Sequence, residues 1–305
     1  MPSYAYFKNE IIPLADAKIS VMTSALHYGT AVFEGIRGNW NAEHKQIYLF
    51  RLKEHYQRLL NGCKVLKIKL PYTVDDLCRM TVELARKCAF EKDIYVRPLA
   101  YKSSEALGVR VHDVSDDYVV FIIPWGRYLD VEKARCTVSS WQCPTDNSIP
   151  PQVKIMGHYA GNALAKSDAV ENGFDEAIML SADGYVAQGS GENIFLVRDG
   201  KLVTPATYNH ILPGITRDCT IRLAKNELGI ETVERPVNRA ELFFADECFM
   251  TGTAAHITPV SEIDHRLVGD GEVGEITRKL QELYFAVIKG DNPKYLDWCT
   301  PVYPK

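Results

Sequence analysis

The first half of the chain alternates between strand-like and helix-like spacing of apolar residues. Residues 51–65 place their apolar side chains on one helical face. Thr73, three positions before Asp76, offers a capping-box-like start to a second helix. The β-rich runs of this half are residues 45–50, 93–101 and 117–124. Strands and helices mixed on this scale predict an α+β or α/β unit that ends near Pro124.

The second half predicts a meander of short strands joined by tight turns. Asp183-Gly184 and Asp199-Gly200 each lie between short apolar runs, a pattern typical of β-hairpins. Gly229 and Gly290 each follow a helical pattern, where glycine commonly ends a helix. The predicted strands are residues 135–141, 175–180, 185–187, 193–197 and 202–204, and the predicted helices are residues 160–172, 217–228 and 275–289.

Length and composition indicate a soluble protein of two domains. A chain of 305 residues exceeds what one ordinary core supports, and 46% apolar with 24% charged residues is a globular balance. We predict a small domain over 1–122, a linker over 123–136 and a large domain over 137–305. No repeat or low-complexity tract interrupts this division.

Charge and hydropathy narrow the choice of partners. The net charge of −4 gives no support for nucleic-acid binding, which normally shows a basic excess. No apolar run approaches the ~20 residues that span a bilayer, and the first ten residues do not resemble a signal peptide. The eight cysteines are scattered with no Cys-x-x-Cys pair, which predicts buried free thiols and no metal site. We therefore predict a cytoplasmic protein that does not bind membranes.

Lys154 is the leading candidate for catalysis. Most lysines are solvated surface groups, but Lys154 follows a Pro-interrupted segment and has Val153, Ile155 and Met156 as neighbours. An amine in apolar surroundings loses proton affinity and becomes a nucleophile suited to Schiff-base formation. Alone, this context is a weak signal, so the companions of Lys154 decide its meaning.

An acidic residue and two anion-ready turns supply those companions. Glu192 lies on a tight glycine turn at a strand start, where it is either a solvated corner residue or a fixed partner for a protonated pyridine nitrogen. Leu212–Asp218 is a Pro-Gly turn that runs into a helix, so the amides of Ile215 and Thr216 face its positive end. Gly252–Ala255 predicts a second turn with exposed backbone amides. One amine, one carboxylate and two such turns are the parts of a pyridoxal phosphate site.

Ordered sequence blocks throughout the chain give it a family resemblance. It resembles the branched-chain amino acid aminotransferases, which belong to the fold type IV pyridoxal phosphate enzymes. The blocks are His27–Arg37, Tyr95–Leu99, Leu107–Val109, Pro124–Gly126, Ser139–Trp141, Ser190–Asn193, Leu212–Asp218 and Gly252–Val260. The resemblance implies the α+β class with two domains: a small α/β domain and a larger one whose β-barrel-like core is flanked by helices.

The resemblance also implies which residues bind the cofactor, pyridoxal 5′-phosphate. Lys154 would hold it covalently and then shuttle a proton, while Glu192 would pair with the pyridine nitrogen. Tyr159 would hydrogen-bond the phenolic oxygen, and Leu212 would pack on the ring. The implied phosphate ligands are Arg58, the amides of Ile215 and Thr216, and the hydroxyl of Thr253.

The substrate side follows from the same resemblance. Tyr95 and the amides of Ala254 and Ala255 would take the α-carboxylate, and Arg97 would accept the second carboxylate of glutamate. The implied apolar lining comprises Tyr28, Phe33, Leu107, Val109, Trp125 and Tyr128. Leu107 and Val109 would come from a neighbouring subunit, which implies a homodimer or a higher homo-oligomer.

The implied reaction is reversible ping-pong amino transfer between L-leucine, L-isoleucine or L-valine and 2-oxoglutarate. The chain departs from the family pattern at His158, Gln188 and His256, where asparagine, an acidic residue and glutamate are expected. These departures touch the substrate range rather than the cofactor contacts.

Other activities on the same scaffold stay open. They are a D-amino acid aminotransferase, an (R)-selective amine transaminase and an aminodeoxychorismate lyase. A nicotinamide-dependent dehydrogenase is a remote alternative, because Gly269–Gly274 fits the pattern G-x-G-x-x-G before a helix. Too few residues follow that turn for a nucleotide-binding half, and its acidic residues would repel a pyrophosphate. A regulatory protein that carries the cofactor without turnover is a further alternative.

Overall fold

A computed structural model of the chain describes residues 2–126 and 131–304. The chain forms two compact units. The first comprises Met1–Gly126, Val153–Gly157 and Ala286–Lys305, and the second comprises Arg127–Gln152 and His158–Phe285. Each unit combines helices with a multistranded sheet, as the predicted α+β class requires.

The predicted domain limits of 1–122, 123–136 and 137–305 stay a prediction, and the compact units divide the chain differently. Lys154 belongs to the first unit because its carbonyl accepts a hydrogen bond from the Phe33 amide at 3.1 Å. Residues 286–305 belong there too, since Cys299–Pro301 pairs with the strand Gln46–Phe50. Long-range strand pairing therefore decides where these segments lie.

An antiparallel sheet organises the first unit. Its strands, numbered along the chain, are β1 (Tyr4–Phe7), β2 (Glu10–Pro13), β3 (Ala31–Phe33), β4 (Ile36–Asn41), β5 (Gln46–Phe50), β6 (Ile94–Lys102), β7 (Asp116–Pro124) and β17 (Cys299–Pro301). They lie in the order β17-β5-β4-β6-β7-β1-β2, and β3 pairs with β6. The strands predicted over 45–50, 93–101 and 117–124 are confirmed as β5, β6 and β7.

Three helices belong to this part of the described chain: α1 (Ser24–Tyr28), α2 (Leu52–Val65) and α3 (Val74–Cys88). The predicted capping box of α3 is confirmed. The Asp76 amide donates to the Thr73 hydroxyl at 3.2 Å, and the Thr73 amide donates to the Asp76 carboxylate at 2.9 Å. Two N-terminal amides thereby find partners, which fixes the start of the helix. The face of α2 that was predicted to be apolar is buried.

A mixed sheet organises the second unit. Its strands are β8 (Ala134–Gln142), β9 (Glu176–Leu180), β10 (Val186–Gly189), β11 (Asn193–Arg198), β12 (Lys201–Thr204), β13 (Thr232–Glu234), β14 (Glu247–Gly252), β15 (His256–Ile263) and β16 (Arg266–Leu267). They lie in the order β10-β9-β8-β15-β14-β11-β12-β13, and β16 pairs with β15. The predicted Asp199-Gly200 hairpin joins β11 to β12, with φ of 51° and 71° at its two central residues. Positive φ at both positions is what a two-residue hairpin turn demands.

The remaining helices are α4 (Tyr159–Glu171), α5 (Ile215–Leu228) and α6 (Glu275–Ile288), and short 3-10 turns occur at Leu14–Asp16, Met156–His158, Arg239–Phe243 and Pro293–Trp298. Gly229 ends α5 with a φ of 67°, which confirms the predicted glycine stop. Within residues 2–126 and 131–304, no helix is long and apolar enough to cross a membrane. All eight cysteines are free thiols, and all except the half-buried Cys78 are buried, largely as predicted.

Candidate active site

Lys154 lies over an aromatic ring in the first unit. Its Nζ is 4.9 Å from the centre of the Phe33 ring, and the isolated β-bridge between Val32 and Ile155 holds its segment in place. The segment that follows Lys154 also lies close to the backbone of Gly29. Glycine is needed there, because a Cβ on residue 29 would lie 2.6 Å from the Cα of Gly157. Lys154 was predicted to leave an apolar strand rather than a wet face; it lies outside any strand, beside the isolated bridge at Ile155, and it is half-buried.

Arg97, on β6, packs on the same Phe33 ring as Lys154. Its guanidinium carbon is 4.9 Å from the centre of that ring and 5.2 Å from the Tyr95 ring, and it donates to the Tyr95 hydroxyl at 3.2 Å. The Nε of Arg97 is buried and has no hydrogen-bond partner among the described residues. Buried polar groups in proteins are nearly always paired, so a buried cationic donor without a partner marks a place for an anion.

Tyr95 is fixed by neighbours on two sides. A Cβ at Gly35 would lie 1.9 Å from the Tyr95 hydroxyl oxygen, so only glycine fits there. On the other side, the Tyr95 ring lies 5.1 Å from the Trp125 ring. Arg37 holds the backbone after that tryptophan, donating to the carbonyls of Trp125 at 3.0 Å and Gly126 at 2.8 Å. Sequence reasoning quoted Arg37 within a family block but gave it no role.

Arg58, a predicted phosphate ligand, forms a two-pronged ion pair with Glu34. Its Nε and Nη2 donate to the two carboxylate oxygens at 2.6 and 2.8 Å. His55 Nδ1 lies 2.7 Å from the same carboxylate, and both Glu34 and His55 are buried. Sequence reasoning missed Glu34 and His55. The spacing of His55 and Arg58, three residues apart on α2, was the available signal.

Burial and neighbouring charges shift the pKa values of Glu34 and His55. Burial raises the pKa of the Glu34 carboxyl, but Arg58 and His55 outweigh it and hold that pKa well below its ordinary value. Burial lowers the pKa of His55, and this outweighs the opposing effect of Glu34. The groups therefore persist as an anionic carboxylate, a cationic guanidinium and a neutral imidazole near neutral pH.

We expect acid to destabilise the fold through these two groups. Below pH ~6.5 the unfolded chain takes up a proton on His55 that the folded protein resists, and below pH ~4.3 the same holds for Glu34. Stability should fall as the pH falls through both windows. Glu34→Gln should remove most of the pH dependence of stability below pH ~4.3. It should also lower the free energy of unfolding at pH 7 by about 3–5 kcal/mol, since it leaves Arg58 without its buried partner. Thermal melting between pH 3 and 8 measures both effects.

The matched control for that experiment is Asp75→Asn. Asp75 is an exposed carboxylate whose ion pair with Lys53 spans 3.5 Å. Such surface pairs contribute little, so its melting profile should match the wild type. A Glu34→Gln variant whose stability has the wild-type pH slope below pH 5 would contradict the assignment.

Glu192 is enclosed in the second unit. It is only 5% exposed, and the Gly191 amide donates to its Oε2 at 3.1 Å. Glycines crowd it on two strands, because a Cβ at Gly189 would lie 2.8 Å from Oε2 and one at Gly252 would lie 3.2 Å from Cγ. The alternative of a corner glutamate in water is therefore wrong, and the carboxylate has a fixed position.

Helix α4 packs on the same glycine turn. The Asn162 side chain donates to the Ser190 carbonyl at 2.6 Å, which ties the helix to the residues that precede Glu192. Tyr159 begins α4 one turn earlier and is half-buried. Its ring lies 5.9 Å from the ring of His158.

The first turn of α5 offers backbone amides to an anion. Gly214 caps it in an extended conformation, and no described side chain caps its amides. The Leu212 amide donates to the Gln188 side chain at 3.0 Å, and the Leu212 carbonyl accepts from Asn193 at 2.9 Å. Only glycine fits at 214, since a Cβ there would lie 2.0 Å from Asn193 Oδ1. The predicted anion donors, the amides of Ile215 and Thr216, form the first turn of this helix.

The second predicted turn is the loop between β14 and β15. Gly252 pairs with His256, which leaves Thr253, Ala254 and Ala255 as a three-residue loop. All three are half-buried. The Thr258 hydroxyl donates to the Ala255 carbonyl at 2.8 Å and thereby holds the end of the loop.

The remaining predicted substrate residues are more dispersed. The hydroxyl of Tyr28 accepts a hydrogen bond from the Gly108 amide at 2.8 Å. Leu107 and Val109, on either side of that glycine, are 63% and 89% exposed. Tyr128 lies outside the described residues.

The predicted site residues fall into two groups. Lys154, Phe33, Tyr95, Arg97, Trp125, Arg58, Tyr28, Leu107 and Val109 lie in the first unit, and Glu192, Tyr159, Leu212, Ile215, Thr216, Thr253, Ala254 and Ala255 lie in the second.

The G-x-G-x-x-G turn has a structural role. The Glu247 carboxylate accepts the amides of Ile276 and Thr277 at 3.0 and 2.8 Å and so caps α6. A Cβ at Gly274 would lie 2.0 Å from the Glu247 Cδ, which explains the glycine. An acidic side chain already occupies the helix start where a pyrophosphate would bind, so the dinucleotide interpretation is wrong.

Comparisons with known proteins agree with this geometry. The sequence profile of the family described as amino-transferase class IV matches residues 31–263. A probable branched-chain-amino-acid aminotransferase of Aquifex aeolicus is 48% identical over 303 residues, which cover 99% of this chain and 97% of the relative. The crystal structure of a branched-chain aminotransferase from Thermoproteus uzoniensis with norvaline superposes with a TM-score of 0.95 at 41% identity, covering 99% of this chain and 100% of that one. The branched-chain amino acid aminotransferase from Thermobaculum terrenum, in its PLP-form, gives a TM-score of 0.94 at 38% identity, covering 99% of each chain.

Proposed function

Because this chain belongs to the class IV aminotransferases, we propose that it is a branched-chain-amino-acid transaminase. It transfers an amino group reversibly between L-leucine, L-isoleucine or L-valine and 2-oxoglutarate. The observation that carries the proposal is the Lys154 amine and the Arg97 guanidinium over one aromatic ring, with a buried Arg97 Nε that has no partner among the described residues. An amine, an apolar wall and one anion receptor are what a pocket shared by leucine and glutamate requires.

Pyridoxal 5′-phosphate is the cofactor, and the donor set of this chain fits it. A fixed carboxylate suits a protonated pyridine nitrogen, and an uncapped helix start suits a phosphate. The residues proposed to hold the cofactor are Arg58, Lys154, Tyr159, Glu192, Leu212, Ile215, Thr216 and Thr253. When bound, the cofactor supplies an electron sink for the charge that develops at the substrate Cα.

The chain's own residues do the remaining work. The Lys154 Nζ would move a proton between the substrate Cα and the C4′ carbon of the cofactor, as a positioned general base and acid. The Glu192 carboxylate keeps a positive charge favourable on the ring nitrogen in a site that excludes water. The Leu212 side chain packs on the ring, since Gln188 and Asn193 fix its backbone on both sides.

The substrate-binding residues divide by chemistry. Tyr95 and the amides of Ala254 and Ala255 bind the α-carboxylate common to all substrates. Arg97 binds the second carboxylate of glutamate or 2-oxoglutarate. The proposed apolar lining is Tyr28, Phe33, Leu107, Val109, Trp125 and Tyr128. Aliphatic side chains enter this lining without a polar partner, so the pocket accepts both kinds of substrate.

The active form that we propose is a homodimer or a higher homo-oligomer in the cytoplasm. The exposure of Leu107 and Val109 supports this proposal. Their large apolar side chains are 63% and 89% exposed, which favours contact with another protein surface. In the dimer these residues complete the lining of the neighbouring subunit's pocket. The reduced state of all eight cysteines suits a reducing compartment.

A substrate panel tests the proposed function. The purified holoenzyme is offered a range of amino donors with 2-oxoglutarate, and glutamate formation is followed together with the absorption spectrum of the bound cofactor. L-Leucine, L-isoleucine and L-valine should be the best donors. Preferred turnover of D-amino acids or of (R)-1-phenylethylamine would assign the chain to another branch of the scaffold, and bound cofactor without any turnover would favour a regulatory protein.

Arg97→Ala should impair the reaction with glutamate far more than the reaction with leucine. Loss of a charge-assisted hydrogen bond in a buried site removes about 1.5–3 kcal/mol, which lowers kcat/KM for glutamate by roughly 10- to 150-fold. For leucine, kcat/KM should change by less than about threefold, since Tyr95 loses its hydrogen bond from Arg97 but keeps its neighbours Gly35 and Trp125. Arg222→Ala, which removes an exposed helix arginine, serves as the control. Equal losses for both substrates would contradict the role of Arg97.

A further inference from the structure

His256 has an unusual backbone conformation beside the candidate carboxylate loop. Its φ is 60°, and it pairs with Gly252 to close the three-residue loop between β14 and β15. In such hairpins a left-handed residue commonly closes the turn, and glycine adopts that conformation without strain. A non-glycine residue in this conformation costs stability, and such strained residues are often found at functional sites.

The His256 ring packs on α6. It meets the Phe285 ring edge-on, with centroids 5.3 Å apart and planes at 90°, and it lies 5.9 Å from the Tyr284 ring. Tyr284 is buried, so this partner is fixed in the core. One turn earlier on the same helix, Gln281 donates to the Ile257 carbonyl at 2.9 Å. Two successive residues of β15 are therefore anchored to one helix.

The carboxylate loop borders a pocket. Beside it lies a cavity of about 320 Å³ whose lining includes Ala254, Ala255, His256 and Phe285. A loop that borders a pocket is less confined than one inside a packed core, so it can shift when a contact is lost. The His256 ring therefore determines where the loop amides lie, together with the Thr258 hydrogen bond at the loop's end.

We propose that His256 is a positioning residue that sets the affinity for the α-carboxylate of every substrate. The ring holds Ala254 and Ala255 so that their amides point at the carboxylate, and this step rests on the proposed function. Amino acids and keto acids share that carboxylate, so His256 acts on both half-reactions alike. Cofactor affinity depends on it much less, because the Glu192 turn and the α5 start are held by other contacts and Thr253 is the only proposed cofactor residue on the loop.

Kinetics of His256→Ala and His256→Gly test the proposal. Both variants should raise KM for L-leucine and for 2-oxoglutarate by the same factor, about three- to tenfold, as expected for the loss of one aromatic pair. The kcat should stay within twofold, the cofactor spectrum should not change, and cofactor affinity should change by less than the KM of either substrate, since only Thr253 joins the loop to the cofactor. His256→Phe, which keeps a ring against Phe285, should stay close to the wild type. The glycine variant has no left-handed strain, so a phenotype that both variants share does not come from backbone strain.

A binding measurement separates this inference from the proposed function. Titration calorimetry of the holoenzyme with 4-methylvaleric acid, a carboxylate without an amino group, reports carboxylate affinity without turnover. His256→Ala should weaken binding, and Phe285→Ala should weaken it less because the contact of His256 with Tyr284 remains. The double variant should be no weaker than His256→Ala, which already removes both ring contacts. Unchanged affinity and KM in His256→Ala would overturn the inference, as would a parallel loss of kcat and cofactor. Absence of leucine turnover in the wild type would instead overturn the proposed function.

Discussion

Replacing Lys154 by Ala is expected to abolish turnover while the cofactor stays bound. Proton transfer by a positioned side chain contributes about 10²- to 10⁴-fold, and the covalent role of the amine is lost as well, so kcat should fall by at least ~10⁴. The Glu192 carboxylate and the α5 amides remain in place to hold the cofactor. Steady-state assays with L-leucine and 2-oxoglutarate, together with the absorption spectrum, measure both effects.

Two further variants make the Lys154 experiment specific. Lys154→Arg keeps a cation over the Phe33 ring, but a guanidinium stays protonated and cannot act as a base, so this variant should be equally inactive. Added methylamine should partly restore Lys154→Ala, where space is left, and not Lys154→Arg. Lys225→Ala, which removes an exposed helix lysine, is the control. Borohydride reduction and peptide mapping should place the cofactor label on Lys154, and a label elsewhere would contradict its role.

Local sequence signals predicted local structure well. The α3 capping box depends on Thr73 and Asp76 alone, and the β11–β12 hairpin depends on Asp199-Gly200, so both were visible in the sequence. The start of α5 was predicted at residue 217 and lies at Ile215. The Asn193 side chain, from β11, lies where a Cβ at residue 214 would be, so only glycine fits at the residue that precedes this helix. A helix boundary that depends on a side chain distant in the sequence cannot be predicted from the neighbouring residues alone.

The candidate site shows the same limit. Lys154 and Glu192 were candidates from their local context, but the partnership of Glu34 with Arg58 had no local pattern. Glu34 lies 24 positions before Arg58 in the chain, and only the fold brings its carboxylate within 2.6 Å. The departure of the chain from the family pattern at Gln188 became interpretable only once its contact with the Leu212 amide was known.

Glu192→Gln is expected to lower kcat by about 10²- to 10³-fold. A neutral amide no longer favours a proton on the ring nitrogen, and removing one such electrostatic contact in an enclosed site weakens transition-state binding by about 2.7–4 kcal/mol. The KM for L-leucine should change little, because the carboxylate does not contact the substrate. Measurements of kcat, KM and the pH dependence of the cofactor spectrum test these expectations. Glu171→Gln, an exposed change at the end of α4, is the control.

Gly189→Ala tests whether the position of that carboxylate matters as well as its charge. The added Cβ would lie 2.8 Å from Glu192 Oε2, so the carboxylate must move away from the place that the Gly191 amide gives it. A misplacement of about 1 Å in an active site can cost roughly 10²-fold in rate, so Gly189→Ala should lose activity although every charged group is retained. Gly184→Ala adds a methyl group in open space at a hairpin turn, where its left-handed backbone costs stability but should leave kcat unchanged. If Glu192→Gln kept kcat within threefold of the wild type, the pyridine nitrogen would have another partner, and the loss in Gly189→Ala would then reflect distortion of β10 alone.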